Sequence, residues 1–299
     1  MQTLLFTGAS GFLGYNILPI LKNRYEVTTL GHLPVDDITV NLAKGVPSLP
    51  KYFDVVLHAA GKAHVIPKTP VEEQLFYDIN FGGTKNLCKA LESVGVPKSL
   101  IFISTVAVYG CESGSLITEE HPRNGVTPYA KSKIMAEDFL TEWCANNDVI
   151  LTILRPSLLA GVNPPGNLGD MIRGIKKGFY LNIAGGNVQK SILMADDIAT
   201  LVELAKDKGG IYNVCDTDQP SFGQLSALIA NQLGKRKPLS IPYWLAKSLA
   251  LVGDRLGCKT PINSLRLSKL TQSLTFSNDK ALKALCWQPL KVLEHFKIK

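Results

Sequence analysis

Tyr129 and Lys133 stand four positions apart in Tyr-Ala-Lys-Ser-Lys, a spacing that puts both side chains on one face of a helix. An ammonium beside a phenol favours the phenolate and pulls its pKa from about 10 toward a value useful for proton transfer. Tyr129 is therefore the candidate acid–base group. A hydroxyl that could share the same substrate oxygen lies in Ile103-Ser104-Thr105, where Thr105 and Ser104 both qualify and strand register separates them. A second pair of the same spacing, Tyr243 and Lys247, sits among Trp244, Leu245, Leu249 and Leu251 and reads as a packing helix.

Gly8, Gly11 and Gly14 offer a different chemistry. Glycine lets a backbone turn tightly and approach a diphosphate, whose charge rests on unpaired N–H groups at a helix N-terminus. In Gly-Ala-Ser-Gly-Phe-Leu-Gly the candidate contacts are Gly8, Ser10, Gly11, Phe12, Leu13 and Gly14. A dinucleotide site of this kind usually carries an acid at the end of the second strand for the ribose of NAD, or a basic residue there for the phosphate of NADP. Leu30-Gly31-His32 has neither, so NAD and NADP both stay open. Asn41 and Leu42 are candidates for the adenine edge, and Ala59, Ala60 and Gly61 supply small residues beside the cofactor.

These residues need a scaffold that gathers strand ends. Short apolar runs at 3–8, 26–31, 38–42, 55–60, 99–105 and 149–156 alternate with helical stretches at 12–23, about 71–94 and about 129–146, which is the pattern of an α/β, doubly wound parallel sheet. We expect a dinucleotide-binding domain over 1–160 and a smaller substrate-binding lobe over 161–299, interleaved with the sheet as one unit. The turn-rich stretch 161–170 marks the change of texture.

The chain has 299 residues, 45% of them hydrophobic, enough for a sizeable core. Six cysteines without a C-x-x-C pair suggest neither disulfides nor a metal site, and a cytoplasmic location follows from that and from the lack of any apolar span. The net charge of +7 is uneven: residues 235–299 hold 13 Lys/Arg against 3 Asp/Glu, while residues 1–150 hold 12 against 15. A basic surface concentrates anions. No aromatic–basic motif for nucleic acid accompanies it, and residues 242–256 could form an amphipathic helix that packs onto the lobe or rests in weak peripheral contact with an anionic membrane.

Taken together, Thr7 to Gly14, His58 to Gly61, Asn80 with Gly83 to Leu87, Ser104-Thr105, Val108-Tyr109-Gly110, Tyr129 to Lys133, Leu154-Arg155-Pro156 and Asp197-Ile198-Ala199 resemble the extended short-chain dehydrogenase/reductase superfamily, in its NAD-dependent epimerase/dehydratase branch acting on nucleotide sugars. Ala284 to Pro289 resembles that family's closing element, with Cys286 where Gly is usual. The resemblance implies a catalytic set of Thr105, Tyr129 and Lys133, a cofactor contact at Pro156, substrate contacts at Asn163, Asn167 and Lys190, and a homodimer paired through helices 71–94 and 129–146. Val106-Ala107 replaces the Asp-Glu pair of the dehydratases and disfavours water loss.

The leading expectation is an NAD(P)-dependent reductase of a 4-keto-hexose on a nucleotide diphosphate, with Tyr129 protonating the oxyanion. The alternative is a C4 epimerase that keeps its NAD. A third reading is a non-catalytic, cofactor-binding scaffold.

Overall fold

Leu4, Leu5 and Phe6 expose no surface, which requires cover on both faces and an interior place in a parallel sheet. In the computed structural model, which describes residues 1–256 and 264–298, they belong to β1 (Thr3–Thr7), followed by β2 (Glu26–Gly31), β3 (Ile38–Thr39), β4 (Val55–His58) and β5 (Ser99–Ile103). With strands Ile150–Pro156 and Gly210–Val214 these form a seven-stranded sheet, parallel throughout. Its order is Gly210–Val214, Ile150–Pro156, β5, β4, β1, β2, β3. Chain order reverses between β1 and β4, where Thr7 and His58 are register partners, so a ligand crevice opens just beyond those two residues.

The helices are α1 (Phe12–Lys22), α2 (Pro70–Tyr77), α3 (Gly83–Val94), α4 (Pro128–Asn146), α5 (Gly166–Lys177), α6 (Ala195–Ala205), α7 (Phe222–Gln232) and α8 (Tyr243–Leu256), with shorter ones beyond. Strand alternation sorts the core into two layers. Leu4, Phe6 and Leu57 pack with Ile17 and Leu21 of α1 and Ile198, Leu201 and Val202 of α6. Leu5, Val56, Leu100 and Phe102 face Leu87 and Leu91 of α3 and Ala136 and Leu140 of α4. This is the doubly wound α/β fold expected from the sequence.

Two elements differ from expectation. The run 38–42 pairs only at Ile38 and Thr39; beyond them Asn41 turns the chain, its Oδ1 accepting from the Ala43 N–H at 3.0 Å. The helix expected over 71–94 is divided by a wider, π-helical turn at Asp78–Gly82. Asn80 at the centre of that turn is buried and its side chain bonds the backbone of Lys62, a contact that a regular helix would have to give up.

Beyond the sheet, strands Leu158–Ala160 and Ile192–Met194 pair in parallel, and α5 and α7 pack on them around Leu168, Met171, Leu225 and Ile229. The closing element docks on α6. Asp197 accepts the Leu290 N–H and the Trp287 indole N–H, and burial pushes its carboxyl up to about 7. Among the described residues no helix is long and apolar enough to cross a membrane.

Candidate functional site

The glycine turn sits at the switch point. Gly8 has φ +79°, and a side-chain carbon there would come 2.7 Å from the Ala60 nitrogen, so Gly8 lets β1 and the end of β4 close on each other. At Gly14 the same carbon would lie 2.0 Å from the Ala9 oxygen, which is why helix and turn can touch. Gly11 caps α1 without a side-chain bond, and no acid stands in the helix's first turn. The N–H groups at Phe12, Leu13 and Gly14 therefore point toward the crevice as a ready anion site.

One polar group that sequence reasoning missed stands beside this turn. The chain leaves β2 with no acid, but five residues past Gly31 it folds back and lays the Asp36 carboxylate over that glycine, 2.2 Å from where a side-chain carbon would be. Asp36 is buried and accepts from Ser10 Oγ at 3.0 Å. The missed signal was Gly31 itself: the lack of a side chain at the strand end makes room for a carboxylate supplied from further along. At the other end of the crevice, Pro156 is buried and the neighbouring Ser157 Oγ is buried without a hydrogen-bond partner among the described residues. A diphosphate cradle, an acid at its ribose side and an orphaned hydroxyl beside Pro156 fit a nicotinamide dinucleotide. Asn41 is exposed and Leu42 buried behind Gly83, so Leu42 offers the crevice rim only its backbone neighbourhood.

Tyr129 stands at the second position of α4. Thr127 caps that helix by accepting the Ala130 N–H at 3.1 Å, and Pro128 opens it. The Tyr129 ring meets Phe76 edge-on. Burial raises its pKa above the usual value, and a hydrogen bond with the Thr105 side chain opposes that rise. Lys133, expected to depress the phenol, is not among the groups that shift it. Lys133 Nζ instead donates to the Ile103 carbonyl at 2.8 Å and lies 4.6 Å over the Phe102 ring. Its own pKa falls to about 8 through burial, with Glu137 pulling the other way. Ser104 turns from the crevice to donate to Glu137; Thr105 is the hydroxyl left facing Tyr129.

A chain of hydrogen bonds runs behind these groups. Thr84 donates to the Asn80 carbonyl at 2.6 Å, so it accepts from His58 Nε2 at 2.9 Å. His58 Nδ1 then accepts from Thr7, 2.7 Å away, while Thr7 Oγ1 accepts the Ala60 N–H at 3.1 Å. Burial, helped by the Lys133 charge, drives the His58 pKa down to about 3, which keeps the ring neutral. Asn80 Nδ2 donates to Ser132 Oγ at 2.9 Å, and Ser132 Oγ donates to the Tyr129 carbonyl. The loop Ala59–Lys62 is thereby pinned to the helix that carries Tyr129. Behind Lys133, Glu137 receives two bonds from Arg155 at 3.0 and 2.6 Å, and Arg155 donates to the Tyr109 hydroxyl.

The expected substrate residues are less tightly gathered. Asn163, in the left-handed region at φ 56°, and Asn167 are exposed around the start of α5. A side-chain carbon at Gly166 would lie 3.4 Å from His64 Nδ1, so the loop after β4 borders this segment. Lys190 is half-buried on a different stretch, bridging Leu274 two residues ahead of the Ile192–Met194 strand.

The model of the NAD dependent epimerase/dehydratase family matches residues 4–215. The chain belongs to that family. Its epimerase/dehydratase membership makes it an NAD(P)-dependent enzyme of the short-chain dehydrogenase/reductase type. It is 30% identical over 297 residues to the N-acetyl-alpha-D-glucosaminyl-diphospho-ditrans,octacis-undecaprenol 4-epimerase of Escherichia coli O157:H7, covering 93% of this chain and 88% of that one. With the UDP-glucose 4-epimerase of Vibrio cholerae it shares 28% identity over 98% of this chain and 92% of that one. The UDP-glucose 4-epimerase of Thermus thermophilus, solved in complex with NAD, has the same fold at a TM-score of 0.72 and 23% identity, with 98% of both chains covered.

Proposed function

We propose that this epimerase/dehydratase family member is a 4-epimerase of a hexose carried on a diphosphate, with Thr105, Tyr129 and Lys133 as its catalytic set. The observation that carries the reading is the Thr105–Tyr129 pair at the crevice mouth, a single proton site with no free carboxylate beside it among the described residues. Dehydration needs a second acid–base pair; Val106 and Ala107 cannot provide one, and Glu137 is committed to Arg155. The two relatives named above are 4-epimerases, which favours the epimerase alternative over net reduction.

NAD supplies the hydride acceptor and, on the return step, the hydride donor. In its phenolate form, which the Lys133 charge would have to favour against burial, Tyr129 takes the proton from the C4 hydroxyl as that carbon is oxidised and gives it back as the carbon is reduced on its other face. Thr105 shares the oxygen's hydrogen bond through both steps, and Lys133 keeps a positive charge under the site while its ammonium persists. Epimerisation requires the sugar to turn over between the two steps, so binding should grip the diphosphate instead of the ring. Asn163, Asn167, the uncapped N-terminus of α5 and Lys190 are suited to that grip. Asp36 at the ribose side supports NAD over NADP, since a carboxylate repels a 2′-phosphate.

The reading also includes a homodimer. Val71 and Leu75 of α2 and Met135 of α4 are exposed on the two helices expected to pair. The deciding experiment is proton NMR of purified enzyme with UDP-glucose and UDP-N-acetylglucosamine. A galacto-configured product formed without net oxidation or reduction of cofactor supports the proposal. Turnover only with a 4-keto sugar and stoichiometric NAD(P)H consumption would replace it with the reductase.

A further inference from the structure

Helix α8 is apolar on the side it does not bury. Ala246, Ala250 and Gly253 form its inner stripe, the two alanines packing with Ile183 and Leu267. Small residues thus make the internal contact, while Trp244, Leu249, Leu251 and Val252 face solvent, Trp244 at 68% exposure. A helix of this kind is ordinarily turned the other way round.

A second segment extends the same surface. Strand Asn182–Ile183 pairs in parallel with Ser240–Ile241, and the Asn182 N–H donates to the Leu239 carbonyl at 2.9 Å. That pairing sets exposed Phe179 and Leu181 beside exposed Leu239 and the start of α8. The borders are cationic: Lys176 and Lys177 end α5, Lys235, Arg236 and Lys237 precede Leu239, and Lys247 lies on α8. From 235 to 253 the sequence has four basic residues and no acid. Among the described residues none of these six cations has a carboxylate partner. Asp254, the first acid after them, has its oxygens engaged by Ser264.

We propose that this surface docks on a bilayer bearing anionic headgroups, with Trp244, Leu251, Val252, Leu239 and Phe179 entering the headgroup–acyl boundary and the lysines and Arg236 meeting the phosphates. Aromatic and aliphatic side chains inside a basic rim are complementary to that boundary and to no neutral aqueous ligand. Helix α5 links the surface to the expected substrate loop, with Asn167 in its first turn and Lys176–Lys177 at its end, a length of about 18 Å for its 12 residues. Resting on the epimerase reading, docking would suit a substrate whose sugar diphosphate is anchored to a membrane lipid, because the site then stands one helix length from the headgroups.

The test is co-sedimentation of the full chain with vesicles of phosphatidylcholine alone or with about one-third phosphatidylglycerol, comparing wild type with Trp244→Glu/Leu251→Glu and with Lys235→Gln/Lys237→Gln. Binding to the acidic vesicles only, weakened about fivefold per removed lysine and abolished by the two glutamates, is the expected result. Circular dichroism and turnover of a soluble UDP-sugar show that the variants remain folded. Wild type that stays in the supernatant with acidic vesicles overturns the proposal. So does a wild-type dimer that the glutamates split in light scattering, which would assign the face to a second copy. Lack of turnover on every sugar with vesicle binding intact would count against the epimerase reading and leave the docking surface standing.

Discussion

The crevice wall is polar where it is buried, and the outer face of α8 is apolar where it is exposed. Along the wall, Thr7, His58, Thr84, Asn80, Ser132, Glu137 and Arg155 are all polar and all bonded to one another or to backbone. On α8 the large apolar side chains are bare and the nearby cations unpaired among the described residues. A fully satisfied polar network fixes position, since every member loses a bond if one moves. An unsatisfied apolar and cationic surface fixes nothing within the chain; its energetics are completed by whatever it meets.

The contrast can be broken from either side. Tyr129→Phe deletes a proton and little else, so turnover should fall about 10²- to 10⁴-fold while cofactor affinity, measured by titration calorimetry, changes little. Glu137→Gln leaves the buried Arg155 guanidinium uncompensated, and urea unfolding should show a loss of about 3–5 kcal/mol. A loss below about 1 kcal/mol would mean the wall is less tightly coupled than its bonds suggest.

Acid acts on the same wall. His58 titrates near 3 in the folded protein against its ordinary 6.5. Between those values the unfolded chain binds a proton that the folded chain does not, so the His58 contribution to stability falls as pH drops through that window. Urea midpoints measured from pH 7.5 to 4.5 should decline, and His58→Gln should flatten the slope. Asp36→Asn removes the charge at the ribose side, and the ratio of NAD to NADP affinity should fall about tenfold. The smallest effect belongs to the other region: Trp244→Gln should shift stability by less than about 0.5 kcal/mol, because its side chain touches little of the fold.

Much of this was legible in the sequence because it depends on local rules. Apolar runs of the right length gave the parallel strands, and the glycine triplet gave the turn at the switch point. Cys286 is instructive here. It adopts φ 50° at the end of helix Asp279–Leu285, which explains physically why the family's closing element prefers glycine there. Long-range placement was less accessible. Asp36 reaches its position by a fold-back that no periodicity marks, and the π-helical turn at Asp78–Gly82 exists because Asn80 answers to Lys62, 18 residues away. The pKa of Tyr129 depends on enclosure, which the i, i+4 spacing cannot convey. The exposure of Trp244 also reverses a sequence expectation, since the helix packs through its smallest residues and not its largest.

Ser104 and Thr105 are adjacent hydroxyls just past the end of β5 that face opposite sides, one bonded to Glu137 and the other to Tyr129. The division of labour has no tolerance for a frame slip: deleting one residue at the end of β5 would exchange the side chain that faces Tyr129 for the one that faces Glu137. The length of this strand is therefore fixed from beyond its end, because a single added or missing residue would unseat the partner of Glu137 and the partner of Tyr129 together.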